Sequence, residues 1–236
     1  MISYNDFFEN FRSVAGRMEK AATAAGRSAG EIAVLPVTKT FPVDAVDYAR
    51  RAGLLRVGEN RVQEAVAKKT SDRGDPPVAW DLIGHLQSNK ASVAVECFDR
   101  IQSVDSLKLA KRLDRLAAEA GRRMPCLLQV NSGADPRKYG FLPGEIEPVV
   151  DGIAGCRHLA VEGLMTIGPL EGGRDAARRA FAELREIRDV LRSRTGLALD
   201  ELSMGMSGDL EEAIAEGSTL VRLGSALFGE RESGGP

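Results

Sequence analysis

Residues that staple a chain or hold a metal are scarce in this sequence. It has three cysteines, Cys97, Cys126 and Cys156, without CxxC spacing, and two histidines, His85 and His158, in no ligand-like cluster. Disulfide scaffolds and zinc sites need more such residues at closer spacing. We therefore expect three reduced thiols in a cytoplasmic protein, and no metal site.

An excess of one charge is also missing, and so is any long apolar run. The chain has 32 Lys and Arg against 34 Asp and Glu, a formal net charge of −2. A nucleic-acid-binding protein normally shows a basic excess or stripe. A membrane-spanning helix needs about 20 apolar residues, and the N-terminal MISYNDFFENFRSVAGR is too acidic for a signal peptide. We expect neither nucleic acid nor membrane as a partner.

What is present is an ordinary globular composition. The chain has 236 residues, 43% of them hydrophobic and 28% charged, a length that allows one large domain or two small ones. Phe7, Phe11, Val14 and Met18 recur at helical spacing, which predicts an N-terminal helix over 4–25 that ends at Gly26.

Short apolar segments then alternate with helical ones. The predicted strands are 33–37, 54–57, 80–83, 99–102, 126–130, 159–165, 201–204 and 220–223. The predicted helices are 42–51, 61–69, 89–96, one capped by Asp105, 143–153, one around 177–191, 209–216 and 226–228. Eight such units in roughly 200 residues are typical of a (β/α)8 TIM barrel with a parallel sheet.

The alternative α/β fold is an open, doubly wound sheet. That fold needs a glycine-rich turn after its first strand to bind a dinucleotide, whereas the segment Thr38-Lys-Thr-Phe-Pro42 has no glycine. We therefore predict a single-domain barrel, 1–236, with an extra N-terminal helix. The tail, 230–236, is expected to be frayed.

Barrel sites lie at the carboxyl ends of the strands, and the last two strand ends share one feature. The segment Ser203-Met-Gly-Met-Ser-Gly-Asp209 and the pair Gly224-Ser225 each offer glycine and a hydroxyl before a helix. Backbone N–H groups in such loops can bind an anion. Either loop alone is more often a tight turn capped by Ser207 or Asp209, but two at adjacent strand ends favour a phosphate site.

Lys39 follows the first strand in the apolar segment Val-Leu-Pro-Val-Thr-Lys-Thr-Phe-Pro. Burial lowers the pKa of a lysine, and a neutral amine can form a Schiff base with an aldehyde. Position alone favours a solvated loop lysine. A phosphate site across the same barrel mouth favours the Schiff base, because pyridoxal 5′-phosphate (PLP) carries both an aldehyde and a phosphate.

Arg222 lies between Val221 and Leu223 in the last strand. If these two residues face the helices, Arg222 points into the barrel. There it could donate to the pyridine nitrogen of PLP, whose proton it cannot accept, so the ring would be a weaker electron sink. It could equally pair with a buried acid such as Glu162 or Glu59.

Ordered blocks along nearly the whole chain resemble the pyridoxal phosphate homeostasis family, single-domain relatives of the alanine racemase barrel. The blocks are Val37-Thr-Lys-Thr40, Gly58-Glu-Asn60 with Val62-Gln-Glu64, Ile83-Gly-His-Leu-Gln-Ser-Asn-Lys90, Ser103-Val-Asp-Ser106, Lys138-Tyr-Gly-Phe141, Gly163-Leu-Met165, Ser203-Met-Gly-Met-Ser207 with Asp209, and Val221-Arg-Leu-Gly224. Many blocks in one order are far more specific than any single block.

The resemblance implies four kinds of contact with PLP. The residues it assigns are Lys39 for the aldimine, Ser207, Gly224, Ser225 and the backbone of Met206 for the phosphate, Arg222 for the pyridine nitrogen, and Asn60 and Met165 for the pocket walls. Lys138 would be a second, weaker contact. Three positions depart from the family pattern without removing a contact: Arg61 replaces an aromatic residue, Ser225 a threonine and Asp135 a glutamate.

The function that the resemblance implies is PLP binding in intracellular PLP homeostasis, without enzymatic activity. Apo PLP-dependent enzymes are candidate recipients of the cofactor. A phosphate-sugar enzyme on the same fold is a further hypothesis, but the sequence offers it no convincing acid/base pair at the barrel rim.

The main alternative is a PLP-dependent amino-acid racemase. Related racemases take a second base, a tyrosine, from a β-rich domain of a dimer partner, and this sequence contains no such domain. Of Tyr4, Tyr48 and Tyr139, only Tyr139 falls in a strand-end loop, and we expect no catalytic role for it. We therefore expect no racemase activity, and a monomer.

Overall fold

The protein is represented by a computed structural model that describes residues 1–169 and 171–230. The tail predicted to be frayed, 230–236, lies outside these residues except for Glu230. Eight strands form one parallel sheet in the order β1-β8-β7-β6-β5-β4-β3-β2. They are β1 (Ala33–Pro36), β2 (Arg56–Glu59), β3 (Ala79–Leu82), β4 (Arg100–Val104), β5 (Met124–Gln129), β6 (Leu159–Met165), β7 (Glu201–Ser203) and β8 (Leu220–Leu223).

Helices surround this sheet. They are α1 (Tyr4–Ala24), α2 (Asp44–Arg51), α3 (Val62–Ser71), α4 (Ala91–Cys97), α5 (Leu107–Glu119), α6 (Pro143–Ala154), α7 (Gly173–Thr195), α8 (Leu210–Ala215) and α9 (Ser225–Phe228). Short 3-10 helices cover Ala29–Glu31 and Ser88–Lys90. Within 1–169 and 171–230, no helix is long and apolar enough to cross a membrane, and no group of three His, Cys, Asp or Glu side chains could hold a metal ion.

The two edges of the sheet meet between β1 and β2. Val37 and Gly58 form a parallel bridge, and the Thr38 N–H donates to the Gly58 carbonyl at 3.0 Å. This contact completes the predicted (β/α)8 barrel, and the extra N-terminal helix is confirmed as α1.

Helix α1 covers the outside of the barrel beside the last strand. Ser3 and Asp6 form a capping box at its start. Its buried side chains pack against α8, α9 and the outward face of β8, and the rings of Phe7 and Phe228 lie 5.1 Å apart. Val221 and Leu223 belong to this apolar layer. Strand alternation therefore turns Arg222 into the barrel, as the sequence predicted.

Several predicted boundaries differ from the observed ones by one or two residues, and two differences have a clear local reason. The second strand begins at Arg56 instead of residue 54, because the Leu54 N–H donates to Ala49 and ends α2. Helix α5 is capped by Ser106, whose Oγ accepts from the Leu109 N–H at 3.2 Å. Asp105, the predicted cap, instead contacts His85 in the loop after β3.

The barrel interior has an apolar part and a polar part. Leu35, Val37, Ile83 and Leu220 form a small buried cluster. The polar part has buried charged and amide side chains, among them Asp81, Arg100, Gln102, Ser203 and Arg222. Because a buried charge is costly unless it is paired and hydrogen-bonded, the partners of these side chains decide whether the interior is stable.

Candidate functional site

A cavity of about 520 Å³ opens at the carboxyl-terminal ends of the strands. Ligand pockets in proteins are typically about 300–1,000 Å³. Seven of the eight residues predicted for the site line it: Lys39, Asn60, Met206, Ser207, Arg222, Gly224 and Ser225. The fold thus brings side chains from both ends of the chain to one opening.

Met165 is the predicted wall residue that the structure does not place on the cavity surface. Its neighbour Leu164 packs in the outer apolar layer, so Met165 faces inward, but its side chain has no accessible surface. The resemblance assigned this residue to the pocket wall, and the structure places it below the cavity surface. The depth of the residue depends on neighbouring side chains, which alternation does not describe.

The loop after β7 needs a glycine at its bend. Gly205 has a φ of +95°, and a Cβ there would lie 2.5 Å from the Ala213 Cβ. Ser207 joins this loop to the one after β8: its Oγ accepts from the Ala226 N–H at 3.2 Å and lies 3.4 Å from the Ser225 Oγ. Two loops that are distant in sequence form one surface.

Several backbone amides of these loops are available. In the described chain, the N–H groups of Ser207, Gly208, Gly224 and Ser225 donate to no protein atom. The Met206 N–H, which the resemblance assigned to the phosphate, instead donates to Asp209 Oδ1 at 2.5 Å. These four amides and two hydroxyls can bind an anion.

Asp209, one of the two cap residues that the sequence offered, occupies the N-cap position of α8 without a side-chain cap bond. Its side chain accepts no hydrogen bond from the first turn of α8. Burial raises the pKa of this carboxyl, although the Met206 N–H and the charge of Arg222 act in the opposite direction. The carboxylate holds the bend of the β7 loop against the cavity edge.

Lys39 lies in the turn after β1, and its half-buried side chain lines the cavity. Hydrogen bonds to glutamate side chains fix the residues on both sides of Lys39. The Thr38 Oγ1 donates to Glu59 Oε1 at 2.6 Å, and the Thr40 N–H donates to Glu64 Oε1 at 2.5 Å. Thr40 has a φ of +66°, so this turn keeps a backbone conformation that threonine rarely adopts.

Lys68 joins these contacts into one network. Its Nζ donates to the Thr38 carbonyl at 2.6 Å, to Glu59 Oε1 at 2.7 Å and to Glu64 Oε1 at 2.8 Å. Glu59 has no accessible surface and Lys68 is 8% exposed. Burial raises the pKa of Glu59, and the hydrogen bond from Lys68 opposes that rise. The ammonium group therefore compensates two carboxylates beneath the Lys39 turn.

Sequence reasoning missed this network. Glu64 and Lys68 have the i, i+4 spacing of a helical ion pair, which was the available signal. Nothing in that spacing says that the pair reaches the turn after β1.

Arg222 makes no contact with either acid considered from the sequence. Its Nη1 donates to the Ser203 carbonyl at 2.7 Å and to Ser203 Oγ at 2.8 Å, and its Nη2 donates to the Thr166 carbonyl at 2.7 Å. Glu59 pairs with Lys68 and Glu162 with Arg100. Burial lowers the pKa of Arg222 to about 10, so the guanidinium stays charged at neutral pH.

The opposite side of the cavity carries an aromatic pair. His85 and Tyr139 stack with ring centroids 3.6 Å apart, and His85 Nδ1 lies 2.9 Å from Asp105 Oδ2. Lys138 also lines the cavity, and its Nζ donates to the Ile167 and Gly168 carbonyls. The sequence assigned no role to His85 or Tyr139, because stacking between two loops leaves no spacing signal.

The loops after β2 and β3 approach closely at the cavity edge. A Cβ at Gly84 would lie 2.3 Å from the Asn60 carbonyl oxygen. Only glycine therefore fits at position 84, where the loop that carries His85 passes Asn60.

The chain was compared with known proteins. A family described as "Alanine racemase, N-terminal domain" matches residues 10–232. A pyridoxal phosphate homeostasis protein of Pseudomonas aeruginosa is 42% identical over 228 residues, 97% of each chain. PipY of Synechococcus elongatus with PLP bound has a TM-score of 0.80 at 39% identity, covering 90% of this chain and 99% of that one.

Alanine racemase of Clostridium difficile shares the fold at 14% identity. Its TM-score is 0.73, and the match covers 86% of this chain and 56% of the racemase. The chain belongs to the alanine racemase N-terminal domain family and, within it, to the pyridoxal phosphate homeostasis proteins.

We predict that replacing Lys68 with methionine lowers the free energy of unfolding by about 3–5 kcal/mol, because two carboxylates lose their buried counterion. Loss of the ammonium raises the folded-state pKa of Glu59 further above its unfolded value. The variant's deficit should therefore shrink as the pH falls and grow as the pH rises through the folded pKa of Glu59.

Urea unfolding at several pH values measures this deficit, with the exposed Lys20→Met variant as the control. A deficit for Lys68→Met that is independent of pH would contradict the assigned charge state of Glu59.

Proposed function

We propose that this chain binds PLP in the cavity and acts in intracellular PLP homeostasis. The observation that carries the proposal is the convergence on one cavity of Lys39, a cationic Arg222 and a surface of available amides. A PLP-bound relative at 39% identity supports it.

The amide surface fits the phosphate of PLP. Four N–H groups from the β7 and β8 loops donate to no protein atom in 1–169 and 171–230, and the hydroxyls of Ser207 and Ser225 lie beside them. A phosphate presents only acceptor oxygens, so donors of this kind are what it requires. We place the phosphate here, at the four available amides and the two hydroxyls.

Arg222 fits the pyridine nitrogen. A guanidinium has only donors, and it cannot take up the proton of a pyridinium. An unprotonated ring nitrogen can accept from it, and we propose that Arg222 holds the ring in that form. Met206 and Asn60 line the same cavity and would contact the ring.

Lys39 fits the aldehyde. When bound, PLP supplies an aldehyde that forms a carbon–nitrogen double bond with a primary amine and releases water. The clamped turn, held by Glu59, Glu64 and Lys68, directs the Lys39 side chain into the cavity. The turn is thus ordered before the cofactor arrives, which reduces the entropy lost on binding.

We predict that the purified protein, incubated with PLP, shows the yellow absorption of a bound Schiff base and that Lys39→Ala abolishes it. The Lys20→Ala variant, changed on the outer surface of α1, is the control and should keep the band. A natural chain that is colourless after the unbound PLP has been removed would overturn the proposal.

The cavity opens to solvent, and we propose that bound PLP can pass to apo PLP-dependent enzymes. We expect the loaded protein to activate an apo-enzyme even when a scavenger removes free PLP from solution. Activation that disappears with the scavenger would mean that only dissociated PLP reaches the recipient.

We further propose that the chain has no racemase activity. Tyr4 and Tyr48 contact each other outside the barrel, with ring centroids 5.4 Å apart. Tyr139 lines the cavity, 57% exposed and stacked on His85. This exposure leaves the phenol in solvent, and its ring is held against His85 instead of being enclosed in a water-excluded site.

We predict that alanine racemises no faster with the loaded protein than with free PLP, and that Tyr139→Phe changes nothing. Circular dichroism of the alanine pool measures the rate. Racemisation that the Tyr139→Phe variant eliminates would support the enzyme hypothesis instead.

A further inference from the structure

A chain of hydrogen bonds crosses the barrel interior from Arg222 to a carboxylate on β3. Arg222 Nη1 lies 2.8 Å from Ser203 Oγ, which lies 2.6 Å from Gln102 Oε1. The Gln102 Nε2 lies 2.6 Å from Asp81 Oδ2. Ser203, Gln102 and Asp81 have no accessible surface.

The carboxylate at the end of this chain is anchored from two sides. Arg100 donates to Asp81 Oδ2 through Nε at 2.9 Å and Nη2 at 2.6 Å, and Arg56 Nη1 lies 2.5 Å from Asp81 Oδ1. A guanidinium group has only N–H donors, so both oxygens of Asp81 act as acceptors here.

Because Asp81 accepts, it decides which group donates in each of the other hydrogen bonds of the chain. Gln102 must turn its NH2 group to Asp81, because its carbonyl oxygen would there meet a second acceptor. The amide oxygen therefore faces Ser203, whose hydroxyl must donate to it. With its proton committed to Gln102, the Ser203 oxygen can only accept from Arg222.

This orientation determines which acceptors Arg222 meets. Its two Nη groups meet three acceptors: Ser203 Oγ, the Ser203 carbonyl and the Thr166 carbonyl. These contacts use three of the five guanidinium N–H bonds. The other two donate to no protein atom within 1–169 and 171–230, and Arg222 is accessible only where it lines the cavity.

We propose that Ser203 and Gln102 are positioning residues that, with Asp81 as anchor, fix the orientation of the Arg222 guanidinium and direct its remaining donors at the cavity. The inference rests on the proposed function to the extent that its effect is measured on the bound PLP ring. Within 1–169 and 171–230 no carboxylate bonds to Arg222 directly, so the oriented chain takes over that role.

The test uses Ser203→Ala, which removes the hydroxyl and keeps both carbonyl contacts of Arg222. Bound PLP should show a shifted absorption maximum and a shifted pH titration of its band, with affinity about tenfold weaker through loss of one hydrogen bond to a charged group. Gln102→Met, of similar volume, should cause the same spectral change, so the test remains valid if Ser203→Ala folds poorly.

The matched control is Ser218→Ala. Ser218 is also fully buried, and its hydroxyl donates to the Met204 carbonyl at 2.7 Å, away from Arg222. A general loss of packing should affect Ser218→Ala equally, yet its PLP spectrum should match that of the natural chain. Spectra and titrations of Ser203→Ala and Gln102→Met that match Ser218→Ala would overturn the inference.

A second readout does not require the cofactor. In the cofactor-free protein, nuclear magnetic resonance of the Arg222 guanidinium should show slow rotation and protected N–H protons. Rotation should be faster and protection weaker in Ser203→Ala and Gln102→Met. Unchanged signals would overturn the positioning role. Failure of the natural chain to bind PLP would instead contradict the proposed function, so the two failures are distinguishable.

Discussion

Hydrogen bonding of β1 to its neighbours joins the first strand to the last, and the cavity depends on that closure. Leu35 pairs with Arg222, and the Val37 N–H donates to the Leu223 carbonyl at 2.8 Å. Lys39 and the β8 loop meet only because these strands end at the same edge. This pairing joins the first and last strands of the sheet, which are far apart in sequence. The cavity therefore forms only when the whole barrel has folded.

Burial of charge is the second constraint. Lys68 pairs with Glu59 and Glu64 beneath the Lys39 turn. Arg222 is linked through Ser203 and Gln102 to Asp81, which pairs with Arg100. Paired charges of this kind add little net stability, but removing one partner is costly. We infer that their value lies in orientation: one network fixes the turn that carries Lys39, and the other directs the remaining donors of Arg222 toward the cavity.

Local pattern predicts the elements of this fold well and their limits less well. Helical spacing places α1 correctly, and the alternation of Val221, Arg222 and Leu223 correctly predicts which side chain turns inward. The start of β2 and the cap of α5 were wrong because nearby groups compete. The Leu54 N–H bonds to Ala49 at the end of α2, and Ser106 takes the cap position from Asp105. Propensity treats each segment alone and does not describe that competition.

The residues predicted for the site show the same division. Seven of them line the cavity, because strand ends in a barrel converge by topology. Met165 is too deep, and the Met206 amide is occupied by Asp209, since both outcomes depend on side chains that arrive from elsewhere. The stacked His85 and Tyr139 were missed for the same reason.

By itself the sequence determined the order of strands and helices, the identity of the lysine, the arginine and the glycine loops, and the family. Periodicity and ordered motifs are local, and a single chain carries them in full. Only the tertiary structure decided which amides remain available, which acids support Lys39, and that Arg222 bonds to Ser203 and Thr166 instead of a carboxylate. Those choices depend on competition among buried donors and acceptors, which exists only after the strands have closed around them.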